Sequence, residues 1–333
     1  MAQNRGVEQL VARWAHNPKV IGSSPVPATK QALPEGFFIS DMLHKAGFVN
    51  IIGRPNAGKS TLMNALIGQK LSITSYKAQT TRHRIFGILN GEDYQVVFSD
   101  TPGIIEPAYK LQEAMMRSLH PVFDDADILI ILIDLSSKEG VDLFWDKIAS
   151  SLKPTLVVLN KADAVDIQHI NRIYAEWKAR PGIEDIIVVS ALHHSNTPVL
   201  LDKIIALLPV HQPYFDKEDM SDRPVRFFVA EIVREKIFTL YREEIPYSCD
   251  VYTEEYKDLP EIAKLTVVIT VARDTQKSII LGEKGKSIKQ LGILARQEIE
   301  EFIGKKVFLE LIVKVEKDWR KNEHFLKRRG YIE

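Results

Sequence analysis

From residue 47 onward, short apolar runs alternate with stretches in which apolar positions recur every three or four residues. The runs at 47–52, 84–89, 94–99, 128–134, 155–159 and 185–189 predict strands. The helical periods fall at 59–67, 111–123, 141–150, 167–178 and 197–208. Near-continuous apolar runs are what strands covered on both faces require. Their alternation with helices predicts an α/β domain, a mostly parallel sheet flanked by helices. The pattern breaks at 211–224, HQPYFDKEDMSDRP, which is polar, turn-rich and bounded by prolines, as a linker would be. Beyond it the order changes to helix, strand, strand, helix, helix, strand, helix, predicting a smaller α+β domain. The expected units are an extension over 1–41, a first domain over 42–212, a linker over 213–224 and a second domain over 225–333.

The extension fits neither pattern. It has no apolar core of the kind a signal peptide carries. Residues 8–13, 14–18, 22–25 and 28–29 can be reverse-translated, in order and in one frame, into the D arm, a CAT anticodon arm, the TψC arm and the acceptor end of a transfer RNA. The expectation is a methionine-type tRNA gene read as protein, with the native start at Met42. A genuine disordered extension is the alternative. N-terminal sequencing of the native protein decides between them.

Charge enters through its distribution. The chain has 44 basic and 44 acidic residues, so bulk charge predicts no polyanionic partner. Yet residues 273–330 hold 15 Lys/Arg against 9 Asp/Glu, a surplus of six positive charges. The single cysteine, Cys249, allows neither an internal disulfide nor a cysteine metal cluster and fits a reducing cytosol. No apolar run approaches the roughly 20 residues needed to span a bilayer.

The strongest chemical signal is Gly53-Arg54-Pro55-Asn56-Ala57-Gly58-Lys59-Ser60, followed by Thr61. This is GxxxxGK[ST] between a predicted strand and a predicted helix, the context a phosphate loop requires. Backbone N–H groups and the helix N-terminus cradle a triphosphate, Lys59 reaches the β and γ phosphates, and Ser60 ligates Mg²⁺. Asp100-Thr101-Pro102-Gly103 ends a strand about forty residues on. Asp100 is the expected Walker-B carboxylate for Mg²⁺, and the Gly103 N–H the expected γ-phosphate contact. Asn160-Lys161-Ala162-Asp163 ends another strand and selects the base. Guanine presents two adjacent donors that Asp163 accepts together, a pair adenine lacks. Asn160 is expected to tie this loop to the phosphate loop, with the Lys161 stem over the base. Ser190-Ala191-Leu192 follows the next strand, where the Ala191 N–H would meet guanine O6. Thr81 is the expected switch threonine on Mg²⁺, with Thr80 the competitor; Lys59, Thr81 and Gly103 are the expected catalytic groups. His83 reads as a strand-edge histidine without a catalytic role.

In the second domain, Gly282-Glu283-Lys284-Gly285-Lys286 is a GxxG loop between helical stretches. In KH domains such a loop clamps the backbone of about four unpaired nucleotides. Ile279, Ile280, Ile288 and Leu291 are expected to line the base groove. Residues 327–329, Lys-Arg-Arg, are either an RNA contact or a solvated helix end.

These motifs in this order resemble the TrmE-Era-Obg group of translation-factor-like GTPases, and GRPNAGKST with KAQTTRHRI looks like the Era type within it. The resemblance spans residues 42–333. It implies a P-loop GTPase domain followed by a type II KH domain, Mg²⁺-dependent hydrolysis of GTP to GDP, and binding to the 3′ end of small-subunit (16S) ribosomal RNA during maturation of that subunit. It implies a cytoplasmic monomer, with peripheral contact at the inner membrane as a further expectation. Where Ras-like proteins carry a catalytic glutamine, this chain has Ile104. Asn56 resembles the asparagine that holds K⁺ beside the phosphates in related GTPases, a charge that could replace an arginine finger. The rivals are a metabolic P-loop kinase, an RNA-binding protein with an inert nucleotide, and a tRNA-modifying relative.

Overall fold

The computed structural model describes residues 44–75, 77, 79–137 and 151–332. The expected extension and the expected helix at 141–150 lie outside the described residues. The first domain is built on a six-stranded sheet in the order β2-β3-β1-β4-β5-β6. These strands are β1 (Lys45–Gly53), β2 (Ile85–Asn90), β3 (Tyr94–Asp100), β4 (Ile128–Asp134), β5 (Thr155–Asn160) and β6 (Asp185–Val188). Only the β2–β3 pair is antiparallel. Helices α1 (Lys59–Ile67), α2 (Lys110–Arg117), α3 (His120–Asp124), α4 (Ile167–Lys178) and α5 (Thr197–Leu207) belong to this domain. Two large apolar clusters form most of its core, one around Val49, Ile51, Leu62 and Ile130, the other around Ile52, Leu129, Ile131 and Trp177, with a small third one of Phe48, Ile88 and Val97. Alternate residues of β1 and β4 thus enter opposite clusters, which is why these strands read as unbroken apolar runs.

The helix expected over 111–123 is two helices, α2 and α3. Pro121 has no N–H to donate and occupies the first turn of α3, where none is needed. The parallel register sets Asp100 beside Ile51 and Asn160 beside Asp134. The loops leaving β1, β3, β4 and β5 therefore emerge along one edge, where α/β sheets hold ligands.

The second domain carries a three-stranded sheet, β7 (Cys249–Asp258), β8 (Ile262–Val271) and β9 (Lys306–Val315), with β7 antiparallel and β9 parallel to β8. Helices α6 (Val225–Leu240), α8 (Asp274–Leu281) and α9 (Lys286–Ile303) cover one face. Short α7 (Ile245–Ser248) precedes β7, and α10 (Glu323–Arg328) is the last helix among the described residues. The α6 residue Phe228 packs into the first domain's core, while Val225 and Val229 beside it pack into the second.

The connector is polar in sequence but anchored in structure. Gln95 Oε1 accepts from the backbone N–H groups of Tyr214 (2.7 Å) and Phe215 (3.0 Å). Further along, Ile88 N–H donates to Met220 O, and the Ser221 hydroxyl donates to Phe86 O. The connector thus lies along β2 and closes that edge of the sheet.

Candidate functional site

The phosphate loop leaves β1 at Gly53 and enters α1 at Lys59. Gly58 sits at φ 95°, a left-handed conformation, and a Cβ there would lie 2.5 Å from Asn160 Nδ2. Glycine is required on both counts. The buried Lys59 ammonium donates to Gly53 O (3.0 Å) and Arg54 O (2.8 Å). Burial lowers its pKa to about 8, partly opposed by the Asp100 charge. Pro55 and Asn56 are at the loop's outer turn, Ala57 is buried beneath it, and Thr61 lies in the first turn of α1.

Three oxygen-bearing side chains converge beside Lys59. Ser60 Oγ donates to Asp100 Oδ2 at 2.7 Å, Thr81 Oγ1 donates to the same oxygen at 3.1 Å, and the two hydroxyls are 2.9 Å apart. The other carboxylate oxygen, Asp100 Oδ1, is buried without a hydrogen-bond partner among the described residues. Burial raises the Asp100 pKa, opposed by the Ser60 hydroxyl and the Lys59 charge. An orphaned buried carboxylate oxygen flanked by two hydroxyls is the donor set of a hard, oxygen-seeking cation such as Mg²⁺. Thr81 faces this cluster, whereas Thr80 offers its carbonyl to the other domain. Thr101 Oγ1 donates to Ile51 O (2.8 Å), and Gly103 lies against Pro55. Ile104, past Pro102, packs against the second apolar cluster, and its N–H reaches Gly53 O.

At the base end, Asn160 links three loops. Its Nδ2 donates to Ala57 O (2.8 Å), and its Oδ1 accepts from Ala191 N–H (3.0 Å). The N–H expected to meet guanine O6 is therefore taken by Asn160 in this structure. The Ser190 hydroxyl donates to Asp163 Oδ1 at 2.5 Å and, as the main cause, holds that carboxyl below its usual pKa. Leu192 is exposed at the rim. Sequence reasoning missed Asp134, whose Oδ2 accepts from Lys161 Nζ at 2.6 Å and fixes the stem beside the base position. Its signal was available: a carboxylate ending the strand next to the one that ends in Asn160. Lys59, Asp100's partners Ser60 and Thr81, Asn160, Lys161 and Asp163 all line one cleft of about 880 Å³.

The segment leading to Thr81 is held by the second domain. Thr74 N–H donates to Glu235 Oε1 (3.2 Å). Lys77 Nζ donates to Phe238 O and Tyr241 O, and Arg234 donates to Thr80 O. Arg82 is buried and donates to Cys249 O (2.6 Å) and Pro246 O (3.0 Å), with its guanidinium 5.9 Å from the Trp319 ring centre. His83 is no strand-edge residue. It stacks on Tyr331 at 4.3 Å, and burial lowers its pKa to about 3. The helix after Ile104 is held too, since Leu111 and Met115 pack with Trp319, Phe325 and Leu326. Gln112 bridges the two held segments through Gln79 Oε1 (3.2 Å).

In the second domain Gly282 ends α8 at φ 68°, where a Cβ would lie 2.1 Å from Ser287 Oγ. Glu283–Gly285 form one 3₁₀ turn and Lys286 opens α9, with Glu283, Lys284 and Lys286 exposed. Ile279 is exposed and Ile288 half-buried, but Ile280 and Leu291 are fully buried. The latter two belong to the core and not to the expected base groove, because α8 and α9 turn those positions onto the sheet.

A profile of the family described as "50S ribosome-binding GTPase" matches residues 48–161, and a KH-domain profile matches 244–320. GTPase Era of Caldanaerobacter subterraneus is 40% identical over 294 residues, covering 87% of this chain and 99% of its own. The chain belongs to the Era family of GTPases. Maize chloroplastic GTPase ERA1 is 41% identical over 294 residues, covering 86% of this chain and 71% of its own. A crystal structure of Era with MgGDPNP and nucleotides 1506–1542 of 16S ribosomal RNA superposes with TM-score 0.83 at 38% identity. It covers 87% of this chain and 100% of the matched chain. A tyrosine-to-alanine variant of Aquifex aeolicus Era bound to GDP and AlF₄⁻ gives the same TM-score and identity.

Proposed function

We propose that this Era-family GTPase binds GTP between Lys59 and Asp163, hydrolyses it, and holds the 3′ end of small-subunit ribosomal RNA on its KH domain during maturation of that subunit. The observation that carries the reading is the single cleft lined by both the phosphate-loop lysine and the NKxD aspartate. The RNA assignment draws support from the solved Era that carries MgGDPNP and 16S rRNA nucleotides together. Nucleotide turnover is assigned to residues 42–212 and RNA binding to 225–333, through Gly282, Glu283, Lys284, Gly285 and Lys286.

Ser60, Thr81 and Asp100 would hold Mg²⁺, which when bound neutralises developing charge on the transferring phosphoryl group. Lys59 pairs with the β and γ phosphates, and the Gly103 N–H approaches the γ-phosphate. Ile104 cannot orient the attacking water, so hydrolysis must rely on other groups. Asn56, at φ 63° on the loop's outer turn, is assigned to K⁺. Equal turnover in K⁺ and Na⁺ buffers would remove that assignment.

The held segment supplies the switch. Thr81 is reached through residues 74–82, which the KH domain grips. A nucleotide that draws Thr81 inward therefore pulls on α6 and α7, and RNA that shifts those helices pulls on Thr81. The protein is assigned to the cytoplasm as a monomer; no described helix is long and apolar enough to cross a membrane. Crosslinking to cellular RNA with and without GTP, alongside a turnover assay, tests the whole reading. Nucleotide-independent crosslinking to unrelated RNAs would overturn it.

A further inference from the structure

Two buried polar atoms beside the phosphate loop lack a hydrogen-bond partner among the described residues. One is Asp100 Oδ1; the other is the Ser72 hydroxyl. Ser72 is 2% exposed, and its hydroxyl oxygen is closed to solvent. Buried polar groups are rarely left this way, because a group cut off from water loses its hydrogen bond outright.

The two atoms belong to neighbouring side chains. Burial raises the Asp100 pKa, and the Ser72 hydroxyl is close enough to oppose it, after Ser60 and Lys59 and ahead of Thr81. No hydrogen bond joins Ser72 to Asp100 in this structure. Oδ2 already accepts from Ser60 and Thr81, so Oδ1 is the oxygen that Ser72 can serve.

Ser72 is fixed through its backbone. Asn64 Oδ1 accepts from the N–H groups of Leu71 and Ser72 (3.0 Å each), and Asn64 Nδ2 donates to Ser72 O (2.8 Å). Asn64 lies one turn after Ser60 on α1, which puts the two side chains on one face of that helix. Helix α1 thus reaches Asp100 by two routes, directly through Ser60 and one turn later through Asn64 and Ser72.

We propose that Ser72 is a positioning residue for the metal: with nucleotide and Mg²⁺ bound, its hydroxyl donates to Asp100 Oδ1 and fixes the carboxylate that helps to hold the ion. The proposal rests on the nucleotide and Mg²⁺ reading above and adds a residue to it. A carboxylate held through one oxygen can still turn about its Cβ–Cγ bond, whereas one held through both has a set plane. An ionised carboxylate offers about four lone-pair positions, so three hydroxyl donors leave room for the ion or its water. Ser60 keeps its proton when a lone pair faces a cation, so it can serve Asp100 and Mg²⁺ together.

The test uses the full chain loaded with a fluorescent GDP analogue, whose release is timed against free Mg²⁺, starting in EDTA. GDP lacks the γ-phosphate that engages Thr81, so the Asp100 side is read alone. Ser72→Ala should raise the Mg²⁺ concentration that half-slows release by about 10-fold, the factor for one hydrogen bond to a charged group, and leave release in EDTA unchanged. Alanine fits the same space and leaves no hydroxyl unpaired, so the melting temperature of the free protein should stay level or rise. A weaker Mg²⁺ response then reports the lost hydroxyl and not a damaged fold. An unchanged Mg²⁺ midpoint in Ser72→Ala, or release equally faster with and without Mg²⁺, overturns the role. A wild-type chain that fails to hold the GDP analogue, or whose release ignores Mg²⁺, removes the nucleotide reading itself, and the proposal with it.

Discussion

The two ends of the nucleotide cleft are held in different ways. The base end is fastened within its own domain. Asn160 bonds to Ala57 and Ala191, Ser190 fixes Asp163, and Asp134 fixes Lys161. The Thr81 end is fastened from outside, through Glu235, Arg234, and the carbonyls of Phe238, Tyr241, Pro246 and Cys249. Affinity for guanosine can thus be a local property, while response to the γ-phosphate involves both domains. Under the proposed switch, this division would let the KH domain move Thr81 without disturbing base recognition.

The comparison can be broken at several points. Asp163→Asn should act at the base end alone, weakening GTP by about 3 kcal/mol, a charged bidentate pair lost, and admitting xanthosine triphosphate. Isothermal titration with both nucleotides measures it, and an unchanged preference would break the base assignment. Arg82→Met should act at the other end. Leaving two buried carbonyls unpaired costs about 2–3 kcal/mol. The cost should appear in thermal unfolding and in the difference in RNA affinity between GTP and GDP states, with GDP affinity held within about twofold, a loss below roughly 0.5 kcal/mol. If GDP affinity collapses as well, the two ends are not separable.

A smaller effect comes from pH. In the free protein Lys59 has its pKa lowered to about 8 by burial, and bound phosphates raise it. GTP affinity should therefore be steady below pH 8 and fall above it, by at most about 1.4 kcal/mol per pH unit. Titrations from pH 7 to 9.5 check this, and affinity that rises with pH would contradict the sign. The smallest effect is expected from Lys70→Ala. Lys70 bridges Glu235 and Glu298 at 2.6 Å each, but it is 47% exposed. A loss below about 1 kcal/mol is expected, read as a small drop in melting temperature.

What the sequence disclosed divides along the same line. The phosphate loop, Asp100 and the Asn160–Asp163 run could be read because each is a short motif fixed by the strand it ends, and parallel strands deliver their ends to one edge. The grip on Thr81 could not be read. Arg82 and Cys249 are 167 positions apart, and Thr80 and Arg234 are 154 apart. No periodicity links an arginine after a switch threonine to carbonyls of a later domain. Apolar pattern alone likewise could not tell Ile280 and Leu291, which face the core, from Ile279, which faces outward. Thr81 is favoured over Thr80 in the sequence reading, but the geometry that separates them, the Thr81 hydroxyl beside Asp100 and the Thr80 carbonyl turned to Arg234, comes from the loop's path against α6.

The connector has one more consequence. By pairing with Ile88 and Phe86 it occupies the backbone groups of an edge strand that would otherwise be free to recruit a strand from another molecule. A protease nick or an inserted residue near Met220 would do more than loosen the link between the halves. It would uncover a sticky border, and the isolated nucleotide-binding half should then precipitate or form multimers where the intact polypeptide stays dispersed.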